Sequence, residues 1–441
     1  MQVLTQESAM TRSDSRRELH PAESWRHLGV WFAYAAAICL APLLFPGGGA
    51  IALLSQIGTA IVFGLSYNVL LGQGGMLSFG HAVYFGLGAC AAAHGMNAAA
   101  AGSIWMPVWM APLVGALCAL LVACVLGVVT TRRAGTSFAM ITFGIGELVY
   151  VMATMFPSTF GGETGISTDR MYGTPVLGAS FGSALQAYYL MAIWLFLATL
   201  ALYLFTLSPL GRVLNAVRDN PTRVQMLGYD PQKIRYRAML VSAFFAGMAG
   251  ALFTINFETV TSETLSAHQS GAVLLFTFIG GTTVFWGPVV GAVVGTVLAV
   301  SVAAWTPAWP LYLGLFFVLV VKFAPGGIAG IALLLWRAGR TGLLRRAAWP
   351  LALVVSSAIV SIAGLIGVIE MTYSLTLGDV ASRSTALRDL LKPESSLSWM
   401  VVVALTVLSA VGFLVSRRWL LSRWVEVVDR APDAGMGTSH E

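Results

Sequence analysis

SPLGRVLNAVRDNPTRVQMLGYDPQKIRYR, residues 208–237, is the longest polar break in a chain of 441 residues that is 57% hydrophobic and only 10% charged. Six of its side chains are cationic (Arg212, Arg218, Arg223, Lys233, Arg235 and Arg237), against Asp219 and Asp230 alone on the acidic side. Positive charge concentrates in the cytoplasmic loops of membrane proteins, so the break is expected on that side of a bilayer. Its local pattern is that of a folded element. Asn220 is suited to cap a helix starting at Pro221, whose missing N–H would go unbonded there anyway, and Gly228 stands where a helix of about two turns needs a left-handed terminator. A folded knuckle between apolar runs has the form of a docking surface.

On either side the chain is too apolar for a soluble globule, whose charged fraction is about 25%. Crossing the hydrocarbon takes roughly 17–25 apolar residues. With that ruler, spans are expected near 29–46, 50–71, 76–98, 107–130, 137–156, 186–207, 238–258, 271–286, 288–304, 309–323, 350–370 and 398–416. The fold class is therefore an all-α polytopic integral membrane protein of about 10 to 12 transmembrane helices. An N terminus inside and twelve crossings put Arg132 and Arg133, the break, the group Arg337, Arg340, Arg345 and Arg346, and the tail's Arg417, Arg418, Arg423 and Arg430 on the cytoplasmic side, with both termini. The same topology explains the net charge of +6 without a nucleic-acid partner. Three parts follow: 1–28, a tail too long and too acidic for a secretory signal peptide; 29–336, a transmembrane domain; and 337–441, an extension with two predicted spans and a cytoplasmic tail.

Two stretches are dense in glycine, 72–89 and 280–296, and each has an aromatic-Gly pair followed eight residues later by glycine: Phe79, Gly80, Gly88 and Trp286, Gly287, Gly295. They read either as a worn internal repeat around a pathway or as close helix packing, for which Gly287, Gly291 and Gly295 have the right spacing. Ala243, Gly247 and Ala251 form a similar stripe.

Candidate pathway residues are few. Glu147 falls near the middle of a span, where a carboxylate must face protein or water; a pathway role and a structural hydrogen bond to a neighbouring helix are both open. His81, Asn68 and Ser78 lie in or beside the first glycine-dense stretch, with Gln73 among them; for His81 a helix-to-helix hydrogen bond and a ligand or relay role are both open. The cysteines Cys39, Cys90, Cys118 and Cys124 lie in apolar runs without metal-ligand spacing and read as small core residues. Gly178 to Gly182 matches a nucleophile-elbow pattern but lacks the strand-turn-helix setting it needs. No phosphate-cradling Gly-Lys pair occurs in the chain, and no run of buried acids and bases resembles a proton relay. No catalytic, cofactor or metal site is expected.

Three stretches together resemble the permease subunits of branched-chain amino acid ABC importers, the LivM-like kind: LSYNVLLGQGGMLSFGHAVYFGLGA (65–89), the polar break with the span after it (208–252), and GGTTVFWGPVVGA with KFAPGGIAG (280–292 and 322–330). The resemblance implies that Arg212, Arg218, Asp219, Asn220, Pro221, Arg223, Val224, Leu227 and Gly228 belong to the loop that engages an ATPase, with Val224 and Leu227 presented beside Arg218 and Arg223. It implies two ABC ATPase subunits that bind the ATP, a second homologous permease, a periplasmic binding protein and a place in the bacterial inner membrane. Its cargo would be branched-chain or other hydrophobic amino acids, or related small amides. Arg223, Val224 and Met226 depart from the small residues common there, and 337–441 exceeds the usual end; an extra anchor or partner contact is its expected role. The alternative is a self-contained secondary transporter or channel.

Overall fold

The computed structural model describes residues 21–162, 164–172, 181–306, 308–324, 326–340, 343–377 and 396–429. Its long elements are α1 (Pro21–Leu44), α2 (Gly48–Asn68), α3 (Ala82–Ala100), α4 (Ala111–Thr130), α5 (Thr136–Met155), α6 (Ala184–Leu207), α7 (Pro209–Asp219), α8 (Pro221–Met226), α9 (Pro231–Phe257), α10 (Ala267–Gly280), α11 (Gly287–Trp305), α12 (Trp309–Phe323), α13 (Gly327–Arg340), α14 (Leu343–Leu377) and α15 (Ser396–Asp429). Two short strands, β1 (Ile166–Ser167) and β2 (Thr259–Val260), pair antiparallel.

Every expected span contains a helix, yet among the described residues only eight helices are long and apolar enough to cross a membrane, or nine if a bent pair counts as one span. Backbone breaks and short helices account for much of the difference from the expected ten to twelve. The stretch 76–98 loses its first residues to an irregular segment and its helix is diluted by His94 and Asn97, while 271–286 ends as a helix of 14 residues at Gly280. Helices α12 and α13 meet at a bend of 47°.

Helix α9 is the axis of the bundle, packing against α2, α3 and α4. Small residues make this possible. Gly88 of α3, Gly115 of α4 and Gly247 of α9 approach so closely that a methyl on Gly88 would lie 2.5 Å from the Gly247 Cα, and one on Gly115 2.7 Å from the Gly88 carbonyl. Without a hydrophobic drive between helices in lipid, such close backbone approach is the main source of attraction. The stripe Gly287, Gly291 and Gly295 does the same between α11 and α10.

At the end of the bundle away from the arginine-rich loop, Arg170 holds the 157–185 connection down through Glu258 at 3.3 Å and the Ile255 carbonyl at 3.2 Å. Of the pentapeptide 178–182, only Phe181 and Gly182 lie among the described residues. Helices α14 and α15 form a hairpin at the periphery, joined to α12 by a 2.9 Å hydrogen bond from the Tyr312 hydroxyl to Glu370 Oε1. The side chains of Arg337, Arg340, Arg345 and Arg346, and residues 1–20, lie outside the described part. Cys90 is buried, but Cys39 is exposed on α1, not a core residue as expected.

Candidate functional site

Helix α2 gives way to a π-helical turn, Val69–Gln73, and the chain is not helical again until Ala82. Glycine dictates this break. Gly75 takes φ +63°, a conformation that L side chains resist. A methyl on Gly72 would collide with Asn68 Oδ1 and the Thr282 carbonyl, and one on Gly80 with the Thr142 carbonyl. Thr282 belongs to the second glycine-dense stretch, where α10 ends and α11 begins, so the two breaks touch.

The first break gathers Asn68, Gln73, Ser78 and His81, all buried. Asn68 Oδ1, Gln73 Oε1, Ser78 Oγ and His81 Nδ1 have no hydrogen-bond partner among the described residues. Buried polar atoms are nearly always bonded, so orphans this dense make 68–81 the candidate functional segment. His81 Nε2 lies 3.1 Å from Ser66 Oγ, and the Ser66 hydroxyl donates its one proton to the Phe63 carbonyl at 2.7 Å. Ser66 Oγ must then accept, which puts the ring proton on Nε2 and leaves Nδ1 a bare acceptor. The imidazole stacks on Phe63 at 5.4 Å and meets the edge of Tyr67 at 5.2 Å, while the Tyr67 hydroxyl donates to the Ser78 carbonyl at 3.0 Å. Phe79 N–H donates to Thr142 Oγ1 at 3.2 Å and ties the break to α5. His81→Ala is expected to cost about 2 kcal/mol of stability, seen as a lower melting temperature in detergent, with partial recovery in His81→Gln, which keeps a donor for Ser66.

Glu147 is not in this cluster. It stands half-buried on the peripheral α5 with no hydrogen-bond or ion-pair partner among the described residues. Ser66, Tyr67 and Thr142, which complete the cluster, carry no sequence signal that separates them from ordinary helix hydroxyls.

The arginine-rich loop is two short helices, not one. Ser208 Oγ accepts from Gly211 N–H at 3.2 Å to start α7, and Asn220 Oδ1 accepts from Arg223 N–H at 3.0 Å to start α8. Gly228 ends the second at φ +87°, and Asp230 Oδ1 accepts from Gln232 N–H at 2.9 Å to start α9. Every turn of the loop is thus fixed by a cap. Leu214, Val217 and Val224 face the bundle. Val224 is therefore not on the presented surface with Leu227; that surface is Met226, Leu227 and Tyr229, exposed by 83%, 71% and 51%. Arg212, Asp219, Pro221 and Arg223 are exposed around it.

Arg218 joins loop and break. Its Nη1 donates to the Gly72 carbonyl, its Nη2 pairs with Asp219 at 3.0 Å, and its stem fills the space where a Gly75 side chain would be. One guanidinium thus holds both the last turn of α7 and the π turn.

A helical membrane bundle with paired glycine breaks, orphaned polar groups in one of them and a capped polar loop bonded to it has the form of a transport permease. The profile of the family described as the branched-chain amino acid transport system permease component matches residues 49–325, and the chain belongs to that family. It is similar to the high-affinity branched-chain amino acid transport system permease protein LivM of Escherichia coli K12, 28% identical over 289 residues, covering 61% of this chain and 67% of that one. LivM of Salmonella typhimurium is 26% identical over 289 residues with the same coverage. A probable LivM from Methanocaldococcus jannaschii is 29% identical over 210 residues, 44% of this chain and 59% of that one. No solved structure matches the chain. The match ends before α13 and the α14–α15 hairpin.

Proposed function

We propose that the protein is one membrane subunit of an ATP-driven importer of branched-chain or other hydrophobic amino acids. In this reading residues 208–237 face the cytoplasm with both termini, in the bacterial inner membrane. Two ABC ATPase subunits bind the ATP and dock on the loop, a second homologous permease completes the pathway, and a periplasmic binding protein delivers the cargo. The observation that carries the reading is the Arg218 bond to Gly72, which makes the loop a rigid arm on the broken helix. A push on the exposed tip moves α7, and Arg218 passes the displacement to the π turn and the orphaned groups of 68–81. The glycines allow that segment two backbone arrangements, the condition for alternating access. Glu147 at span depth requires a protein or water partner, which the second permease supplies.

The tip gives the test. Exposed apolar side chains at the end of a polar loop are the expected contact with a partner. Met226→Glu and Leu227→Glu are expected to weaken co-purification of the ATPases about 100-fold, the loss typical of a central interface residue, and to leave the permease folded. Undiminished co-purification from both variants would remove the loop from the interface.

A further inference from the structure

Helix α14 packs along α15 but stands off from α11 and α12, and the gap between them is a crevice of about 520 Å³. One wall belongs to the region that the family profile matches, the other to the extension beyond it. The lining changes from end to end. Thr306, Trp309, Tyr312 and Glu370 mark one end, where the Tyr312 hydroxyl donates to Glu370 Oε1 at 2.9 Å. Leu319 and Ile362 mark the other.

We propose that this crevice holds one phospholipid with an ethanolamine headgroup, an acyl chain lying in its apolar part and the ammonium on Glu370. The proposal needs only that α12 and α14 lie in a bilayer, so it stands apart from the importer reading. Depth comes first. Glu370 is two residues from the end of the apolar span Ala352–Thr372, and Trp309 opens α12 beside it, which puts the polar end at headgroup level, where tryptophan is enriched. From Glu370 the wall runs ~12 Å along α14 to Ile362, approaching half the thickness of the hydrocarbon, and no charged side chain lines that stretch. Ile362 and Ile366 are exposed by 45% and 37%, so the slot opens sideways, toward the acyl chains of the bilayer. Charge then selects the headgroup. Glu370 is the one charged side chain on the wall, and no cation pairs with it among the described residues. Tyr312 takes one lone pair of the carboxylate, which has others to accept N–H donors. A primary ammonium brings three such donors, a quaternary ammonium brings none, and an anionic headgroup is repelled. Thr306 and the Trp309 indole carry donors suited to the phosphate of the same headgroup. The hairpin outside the matched region thereby gains a role, as the second wall of a lipid site.

Native mass spectrometry of the full chain, delipidated and then given an equimolar mixture of phosphatidylethanolamine, phosphatidylcholine and phosphatidylglycerol with identical acyl chains, reads this site. The wild type is expected to retain one phosphatidylethanolamine in preference to each of the other two by at least about tenfold, the factor one charge-assisted hydrogen bond gives. Glu370→Gln still accepts from Tyr312 but carries no charge, and it is expected to lose that preference. Ile366→Trp fills the slot from its lipid-facing rim and is expected to lower retention of all three lipids at least about tenfold. The comparison of the three lipids on the wild type needs no variant to fold. Equal retention of the three lipids by the wild type, or retention of none, would overturn the assignment. So would a preference unaltered in Glu370→Gln or retention unchanged in Ile366→Trp, either of which places the lipid elsewhere.

Discussion

Arg218→Met is expected to lower ATP-driven leucine uptake by the reconstituted assembly about 10- to 100-fold, the range set by losing one hydrogen bond from a charged donor. Methionine keeps an unbranched stem against Gly75 but cannot bond the Gly72 carbonyl, so the loop still folds on its own caps at Ser208, Asn220 and Asp230. What is lost is the rigid connection between α7 and the break. Arg218→Lys should fall between the two, since one ammonium can reach a single carbonyl but lacks the planar fork that also holds Asp219. The measurement is uptake per ATP hydrolysed in proteoliposomes. An unaltered ratio in Arg218→Met would mean that the displacement reaches the break by another route.

Gly250→Val is expected to cost about 3 kcal/mol or more and to leave little assembled protein, measured as the folded fraction after detergent extraction. A methyl at this position meets the backbone carbonyl of Phe85, and carbonyls of packed helices cannot rotate aside. Since α3 and α9 form the centre of the bundle, the strain separates the helices that place His81. Gly144→Ala is the contrasting substitution. It adds a methyl with nothing within 4 Å on α5, and the gain in helix propensity is expected to make it neutral or stabilising by up to about 1 kcal/mol.

The helices were legible because long apolar runs are set apart by short glycine-rich or charged connections, and a bilayer demands that kind of segregation. Their lengths were less so. Hydropathy passes smoothly through 72–81 and 281–286 because glycine, serine and threonine are tolerated at depth, and only the packing reveals that these are turns. The Asn220-Pro221 cap and the Gly228 terminator were readable, and Ser208-Pro209 carries the same cap-and-proline signal for the helix that was not anticipated. Val224 was misplaced because a six-residue helix is too short for its spacing to say which face turns inward. Asn68, Ser78 and His81 come together because one break holds them all, whereas Glu147 lies on a separate, peripheral helix. The contact between Arg218 and Gly72 joins positions 146 residues apart, and no local pattern announces it.

The most direct test of the central claim, that this subunit is driven through residues 208–237 by a separate ATPase, is leucine uptake into proteoliposomes by the lone chain and by the complete assembly. The expected result is no uptake by the lone chain and uptake by the assembly only with ATP inside the compartment that the arginine-rich loop faces. Saturable uptake by the lone chain, unaffected by ATP, would contradict it and make the protein a self-contained transporter.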